Sequence, residues 1–291
     1  MNPKLVTRDP QLATMLNALT IDVEDYFMVS AFADKVKFED WHTFESRVEG
    51  NTCRILDLLD EYGVKATFFV LGWVAERYPK LIKEIQRRGH ELACHGYNHR
   101  LVYDLSYDEF RKDTRKAKKI IEDVAGEPVI GYRATSYSIT KESFWALDIL
   151  IEEGFKYDSS IFPIIHDRYG IKDFSRFPVK VNLNGAGGIL EFPLSTIRLL
   201  NSNFPIAGGG YFRLFPYIFF KKGIKRINNL EKQPAIFYFH PWEIDPKQPV
   251  QDVGWKTRFR HYTNLHKTED RFKRLLSDFR WGRVSDVIRD I

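Results

Sequence analysis

Two histidines four residues apart, His95 and His99, are the first residues whose types and spacing could do chemistry. Imidazole nitrogen is the commonest protein ligand for zinc-type metals, and side chains at this spacing can face the same way on a single helical turn. The pair follows a short apolar run after Gly89, so His95 stands at the predicted end of a strand. Parallel α/β folds place their reactive groups at that end, and the pair therefore predicts a metal site.

Other predicted strands also end in polar side chains. The strand predicted over residues 17–22 ends in Asp22 and is followed by Glu24 and Asp25, an acidic cluster that could instead cap a turn or a helix. The polar residues at the ends of later strands are Arg133, Asp158, Glu191 and His240. Because the carboxyl ends of parallel strands converge at one rim of a barrel, we expect these side chains to form one site.

The residue types at these strand ends suit metal-assisted hydrolysis. Two imidazoles and one carboxylate form an open zinc-type site that leaves room for water. A second carboxylate can take a proton from that water, a histidine across the site can protonate the leaving group, and an arginine can keep the base ionised. A phosphatase would usually need more carboxylates and a second metal, and the sequence offers no clear second set. The constellation therefore predicts hydrolysis of an amide or an ester.

Alternating helical and strand patterns supply the elements that would position these residues. Helices are predicted over residues 44–62 and 267–279, from Pro79 to before Gly89, from a capping box at Ser106 and Glu109 to Gly126, and from a Thr140 cap to Gly154. Strands are predicted over residues 17–22, 66–71, 91–94, 129–132, 155–157, 189–192 and 235–239. The repeated alternation predicts one α/β domain with a parallel sheet or barrel.

Composition and charge narrow the function classes. The chain has 291 residues, 44% hydrophobic and 15% aromatic, so it can bury a large core. Its net charge is +5, but acidic residues interrupt the basic ones near the C-terminus, so we expect no nucleic-acid partner. Two cysteines suggest reduced thiols rather than a disulfide framework. No run of 18 apolar residues occurs and residues 1–19 lack a secretory pattern, so we expect a cytoplasmic protein with no transmembrane segment.

Five segments resemble, in order and spacing, the motifs of the polysaccharide deacetylases, the chitooligosaccharide-deacetylase-like family. These segments are residues 20–25, the His95–His99 pair, and residues 131–134, 158–160 and 239–240. Residues 25–27, 208–213 and 258–262 are similar to the branch found with bacterial exopolysaccharide and exosortase gene clusters. The resemblance covers nearly the whole chain. It implies a distorted (β/α)7-type barrel as a single domain over residues 1–291, with a family-specific C-terminal part at about 200–291.

The resemblance also implies a role for each motif residue. Asp22 would be the general base and Arg133 would orient it, whereas His240 would be the general acid and would pair with Asp158. One divalent metal, usually zinc, would be held by the ligands His95, His99 and Glu24, with Asp25 as the alternative third ligand. The residues expected to contact the substrate are Tyr137, Glu191, Arg213 and Trp242.

Two departures from the family pattern leave alternatives open. Val23 follows Asp22 where relatives commonly have a second aspartate, and residues 133–137 lack the proline that usually follows the arginine, which could loosen the loop that binds the oxyanion. The predicted function is zinc-dependent N-deacetylation of N-acetylhexosamine units in an exopolysaccharide or its precursor. The alternatives are a cyclic amidase of the allantoin or imide type and a non-catalytic carbohydrate-binding protein. The expected partner is an N-acetylated glycan, and self-association and a position peripheral to the membrane stay open.

Overall fold

Parallel strands form the scaffold of the molecule. The computed structural model describes residues 15–183 and 187–289. The described strands are β1 Leu16–Val23, β2 Thr67–Val70, β3 Glu91–Cys94, β4 Gly131–Tyr132, β5 Tyr157–Asp158, β6 Val179–Leu183, β7 Gly187–Glu191, β8 Thr196–Leu199, β9 Ser202–Pro205, β10 Ile236–Phe239 and β11 Arg280–Gly282. Seven of them lie side by side and parallel in the order β10-β1-β2-β3-β4-β5-β7. This arrangement confirms the predicted α/β class and its parallel sheet.

The remaining strands lie at the margins of this sheet. Strand β6 pairs antiparallel with β7, β8 and β9 form a separate hairpin, and β11 pairs with the first residues of β1. Between β7 and β10, Gly208 makes a parallel bridge to Tyr238. Gly208 has a φ of 128°, and a Cβ added there would lie 2.0 Å from the Tyr238 carbonyl oxygen. Only glycine allows the backbones to approach so closely at this point.

Helices alternate with the strands along the chain. The described helices are α1 Val48–Glu61, α2 Gly72–Arg77, α3 Pro79–Arg87, α4 Tyr107–Ala125, α5 Ala146–Glu152, α6 Gly209–Leu214, α7 Tyr217–Asn229, α8 Trp255–Tyr262, α9 Leu265–Asp278 and α10 Val284–Val287. The capping box that was predicted to open α4 is present, since Ser106 and Glu109 cap each other's backbone. Gly126 ends α4 with a φ of 72°, as predicted for a left-handed cap.

Three local predictions were wrong. The helix predicted from residue 44 begins at Val48, and a 3-10 helix, Phe38–Thr43, precedes it. Thr140 does not cap α5, because its hydroxyl donates instead to Glu142 at 2.8 Å and the helix begins six residues later. His95 and His99 do not share a helical turn, because the chain after β3 is an irregular loop.

The sheet is buried on both faces, which explains why its strands are almost continuously apolar. On one face Phe69, Ala93 and Tyr157 belong to a compact inner cluster. On the other face Phe68 and Leu92 join the larger cluster that the helices cover. No helix in the described ranges is long and apolar enough to cross a membrane. Cys53 and Cys94 are free thiols, and the prediction about a secretory signal falls largely on residues 1–14, outside the described residues.

The register of the sheet brings the strand ends level with one another. Neighbouring residues pair in one continuous row across five strand boundaries, namely Val23, Val70, Cys94, Tyr132, Asp158 and Glu191. On the other side of β1, Ile21 pairs with Phe239. The residues that immediately follow this row, including His95, Arg133 and His240, therefore emerge at one rim of the sheet.

Candidate active site

The loop after β3 presents two imidazoles to the rim. The left-handed backbone at Gly96 and His99, with φ values of 74° and 59°, reverses the chain sharply enough to bring both rings inward. The Nδ1 of His95 donates to the Arg133 carbonyl oxygen at 2.8 Å, which leaves its Nε2 as a lone-pair donor. Burial lowers the pKa of His95 to about 4, so the ring is neutral near pH 7. A neutral, oriented imidazole is the form that binds a metal.

Glu24 completes a cluster with these two histidines. One ligand atom from each of Glu24, His95 and His99 lies within 4.8 Å of the others. Oε2 of Glu24 is 2.8 Å from Nε2 of His99, is buried, and lacks an aligned hydrogen-bond donor among the described residues. Burial opposes ionisation of Glu24, but His99 and His240 outweigh it and lower the pKa of the carboxyl to about 2. Two imidazole nitrogens and one ionised oxygen make a donor set that fits a divalent metal.

The side chain of Asp25, the alternative third ligand, caps helix α1. Its Oδ2 accepts from the backbone N–H groups of Arg47 and Val48 at 2.7 and 3.0 Å and from the Ser46 hydroxyl at 2.9 Å. Its Oδ1 accepts from the N–H of Tyr26 at 2.9 Å. Asp25 thus satisfies the first N–H groups of α1, as a helix-capping carboxylate does. The alternative is therefore wrong, and Glu24 is the carboxylate beside the histidines.

Asp22 and Arg133 lie together as predicted. Nη1 of Arg133 donates to Oδ1 of Asp22 at 2.7 Å, and both side chains are buried. Further donors of the guanidinium bind Thr20 Oγ1 at 2.7 Å and the carbonyl and hydroxyl oxygens of Ser159 at 3.0 and 2.9 Å. The guanidinium also lies 4.1 Å from the centroid of the Phe69 ring. Arg133 is thus fixed from several sides, and it holds one oxygen of Asp22 while the other faces the cluster.

His240 faces the same cluster from the end of β10. Its Nε2 is 3.4 Å from Glu24 Oε1 and 3.9 Å from Asp22 Oδ2. Its Nδ1 donates to Oε1 of Glu243 at 2.7 Å. Burial alone would lower the pKa of His240, but the carboxylates of Glu24 and Glu243 outweigh it and raise that pKa to about 9. The imidazole is therefore a proton donor at neutral pH, with one nitrogen directed to the site.

Asp158 is not the partner of His240 in the described contacts, which corrects that prediction. Oδ1 of Asp158 accepts from the Ser160 hydroxyl at 2.5 Å, and Asp158 is the register neighbour of Glu191. Burial raises the pKa of Asp158 to about 6, and burial together with the Asp158 charge raises the pKa of Glu191 above its usual range. Two buried carboxyls beside each other favour a shared proton over two charges.

The predicted substrate contacts are mostly buried beneath the site. Glu191 is fully buried and accepts from the N–H of Ile161 at 3.0 Å. Arg213 is buried and donates to Glu243 at 2.8 Å. Trp242 is buried between the rings of His240 and His261, and its Nε1 donates to Glu24 at 3.4 Å. These three side chains support the site and do not line an open groove, so their prediction as substrate contacts was wrong.

Tyr137 belongs to an aromatic wall beside Asp22 and His240. Its ring meets those of Tyr238, Phe162 and Tyr169 edge-on, with centroids 5.1, 5.6 and 5.9 Å away. Only a small part of the Tyr137 side chain reaches the surface, so its prediction as a substrate contact stays a prediction.

Two site residues were missed by the sequence analysis. Glu243 follows His240 at the spacing of a capping box, a signal that could have revealed the pair, and its Oε1 accepts from the backbone N–H of His240 at 3.1 Å. Ser30 lies 3.3 Å from His99 Nδ1 and 2.7 Å from the Ser136 hydroxyl. No sequence pattern marks Ser30, because it approaches His99 from a distant 3-10 helix, Ser30–Phe32.

Comparison with known proteins shows similarity to one enzyme family over part of the chain. The family described as polysaccharide deacetylase matches residues 37–152, and a domain of unknown function, DUF3473, matches residues 159–289. The chain is therefore similar to polysaccharide deacetylases over less than half of its length. A peptidoglycan-N-acetylglucosamine deacetylase of Bacillus cereus is 40% identical over 75 residues, 26% of this chain and 27% of that protein. The chain thus spans only part of the curated relatives that it matches, 27% of that one and 37% of a second B. cereus deacetylase.

Solved structures share the fold over nearly the whole chain. A Mycobacterium smegmatis protein described as a polysaccharide deacetylase has a TM-score of 0.59 and 22% identity, over 100% of this chain and 94% of that one. A Pseudomonas aeruginosa protein with the same description has a TM-score of 0.60 and 16% identity, over 95% and 90%. These likenesses agree with the predicted distorted barrel.

Proposed function

We propose that this protein is a polysaccharide deacetylase that removes acetyl groups from N-acetylhexosamine units of an exopolysaccharide or its precursor, with one divalent metal, zinc, as cofactor. One observation carries the proposal: the cluster of Glu24, His95 and His99 lies between a carboxylate held by arginine and a histidine held by glutamate. This arrangement supplies a metal site, a base and an acid for hydrolysis of an amide bond.

Glu24, His95 and His99 are the residues that would hold the metal. Their donor set suits zinc, and a metal bound there would polarise the amide carbonyl and activate the attacking water. The hydrogen bond from His95 Nδ1 to the Arg133 carbonyl orients one ligand in advance.

Asp22 would act as the base and His240 as the acid. Arg133 holds Oδ1 of Asp22, so Oδ2 can accept the proton of the water. The protonated Nε2 of His240 can then give its proton to the leaving amine, while Glu243 holds the opposite nitrogen of the ring. Glu243 in turn is held by the buried guanidinium of Arg213. Glu243 and Arg213 are thus positioning residues.

The substrate class rests on the similarity to polysaccharide deacetylases and on three local likenesses. The B. cereus relative is named for N-acetylglucosamine in peptidoglycan, which supports an N-acetylated sugar as the substrate here. The choice of an exopolysaccharide follows from the segments at residues 25–27, 208–213 and 258–262, which resemble the exopolysaccharide-associated branch. We also propose that residues 1–291 act as one domain, with a branch-specific part from about residue 200. The contact between the rings of His261 and Phe32, with centroids 4.7 Å apart, supports this because it joins that part to the beginning of the chain.

Acetate release from N-acetylglucosamine oligomers tests the proposal. Metal-replete protein should release acetate, chelation should stop it, and zinc should restore it. Asp22→Asn should lower the rate by about 10²–10⁴-fold, as expected for loss of a general base. Asp34→Asn changes an exposed aspartate and is the matched control, with an unchanged rate. Equal rates for Asp22→Asn and the wild type, or no acetate release from any N-acetylhexosamine oligomer or polymer, would overturn the proposal.

No contact among the described residues favours a cyclic amidase or a non-catalytic carbohydrate-binding protein. Turnover of ureides or cyclic imides in place of glycans would indicate the cyclic amidase. Tight glycan binding that survives chelation, without acetate release, would indicate a carbohydrate-binding protein.

A further inference from the structure

Helix α8 exposes an unusual pair of aromatic side chains. Trp255 is 75% exposed and Phe259 is 57% exposed, and Val250 just before the helix is 55% exposed. Residues four apart lie one above the other on a helix, so Trp255 and Phe259 form one apolar stripe on the solvent side. Large apolar side chains grouped in this way at a surface mark an interaction site more often than isolated ones do.

Three cations flank this stripe. At 3.6 residues per turn, Arg258 lies on one side of it, and Lys256 and Arg260 lie on the other. All three side chains are exposed, and within residues 15–183 and 187–289 none of them makes an ion pair or a side-chain hydrogen bond. The helix itself contains no acidic residue. Elsewhere on the surface, many cations are paired with carboxylates, for example Arg54, Arg88 and Lys119.

The opposite face of α8 is fixed to the body of the protein. His261 is buried and stacks on Trp242 with ring centroids 4.2 Å apart, and it also contacts Phe32 at 4.7 Å. Trp242 in turn stacks on His240 at 5.1 Å. The exposed stripe is therefore held rigidly, about one helix diameter from the layer of rings that borders the catalytic cluster.

We propose that the Trp255–Phe259 face of α8 docks on the surface of a bilayer that contains anionic lipids. An apolar stripe with Trp and Phe at its centre and basic residues on both sides is the pattern of a helix that lies in the membrane interface. The three unpaired cations make this face complementary to anionic headgroups. A sugar-binding face would instead need neutral or acidic hydrogen-bonding groups beside the rings, and the exposed polar side chains of α8 itself are all cationic. The inference does not depend on the reaction proposed above.

Vesicle flotation with the full chain tests the proposal without using enzyme activity. The wild type should bind vesicles of phosphatidylcholine and phosphatidylglycerol, bind pure phosphatidylcholine much more weakly, and lose binding as salt is raised. Trp255→Ala combined with Phe259→Ala should weaken binding roughly 10- to 100-fold. Replacing Lys256, Arg258 and Arg260 by Gln should weaken it about 100-fold, since each cation near an anionic surface contributes about fivefold.

Variants that remove exposed apolar or basic side chains elsewhere on the protein control for the general effect of losing such side chains and for misfolding. Ile218 and Leu230, 53% and 76% exposed at the two ends of α7, provide the apolar control when both are changed to Ala. Lys112, Lys222 and Lys225 are exposed and provide the charge control when all are changed to Gln. Both controls should bind as the wild type does. Loss of binding in the controls equal to that in the α8 variants would overturn the assignment to α8.

A conservative variant separates lipid from the other occupants. Trp255→Leu with Phe259→Leu keeps an apolar side chain at both positions and should bind vesicles within a few-fold of the wild type, whereas stacking on a sugar would be lost. Wild-type protein that floats with neither type of vesicle would overturn the proposal. If it instead binds an acidic polysaccharide such as alginate, the face is a glycan site. If Phe259→Ala abolishes self-association in analytical ultracentrifugation, the face is an interface between copies of the chain.

Discussion

The two neighbouring carboxylates after β1 should respond in opposite ways to substitution. Glu24→Gln replaces the ionised oxygen of the cluster by an amide of the same shape, and it should lower zinc affinity by at least about 100-fold. Loss of a residue that only hydrogen-bonds a metal ligand lowers metal affinity by about 10- to 100-fold, so loss of the ligand itself should cost more. Asp25→Ala removes the acceptor of four hydrogen bonds, three of them from residues 46–48 at the start of α1, and leaves buried N–H groups unpaired. It should lower the free energy of unfolding by about 2 to 3 kcal/mol.

Two measurements on the same preparations separate these effects. Zinc content and affinity come from elemental analysis and competition with a chromophoric chelator, and the free energy of unfolding of the metal-free protein comes from urea titration. Glu24→Gln should lose zinc and keep its stability, and Asp25→Ala should lose stability and keep zinc. If Asp25→Ala loses the metal while Glu24→Gln retains it, the assignment of the two carboxylates is reversed and the reasoning fails.

Three further substitutions test the supporting structure. Glu243→Gln should lower kcat by roughly 10- to 100-fold with unchanged zinc content, because His240 loses an ionised partner; an unchanged kcat would contradict this role. Burial raises the pKa of Asp158 to about 6, above the value near 4 in an unfolded chain. The Asp158 carboxyl therefore stabilises the folded state fully below about pH 4, and this stabilisation is lost as the pH rises to about 6. In urea titrations, the free energy of unfolding of Asp158→Asn should decline less than that of the wild type between about pH 4 and pH 6. An identical decline would contradict this role of Asp158. Gly131→Ala would place a Cβ 2.1 Å from Cζ of Tyr157, so we expect about 3 kcal/mol of destabilisation by overpacking, and an unchanged urea midpoint would refute it.

The sequence predicted the residues that meet at the rim because sheet register decides where they emerge. Asp22, His95, Arg133 and His240 each lie at or just beyond a strand end, and the continuous row of paired residues brings those ends level. Strand patterns and helix stops are local features, so they can be recognised in the sequence. The conformation of the loop after β3 could not be predicted, because it depends on left-handed backbone at His99, a residue type that seldom adopts it.

The direction of each side chain beyond the strand ends was the harder problem. Glu24 and Asp25 are adjacent and chemically alike, yet one faces the imidazoles and the other faces the N-terminus of α1. Which of them turns inward depends on where α1 begins, and residues 44–47 separate the predicted start of that helix from the observed one. Arg213 was misjudged for a similar reason, because its partner Glu243 is distant in sequence and reaches it only in the folded sheet.

Electrostatics explains why the partner of His240 is Glu243 and not the predicted Asp158. Asp158 lies buried beside Glu191, and a carboxyl that must share its environment with a second one is easily protonated, which makes it a poor partner for a cationic imidazole. Glu243 is equally buried, but His240 and the guanidinium of Arg213 outweigh burial and lower its pKa. It therefore stays ionised near neutral pH, where His240 carries its proton. The family motif pointed to a carboxyl at the end of β5, whereas the carboxyl that supports the acid follows β10 and has its own buried cation.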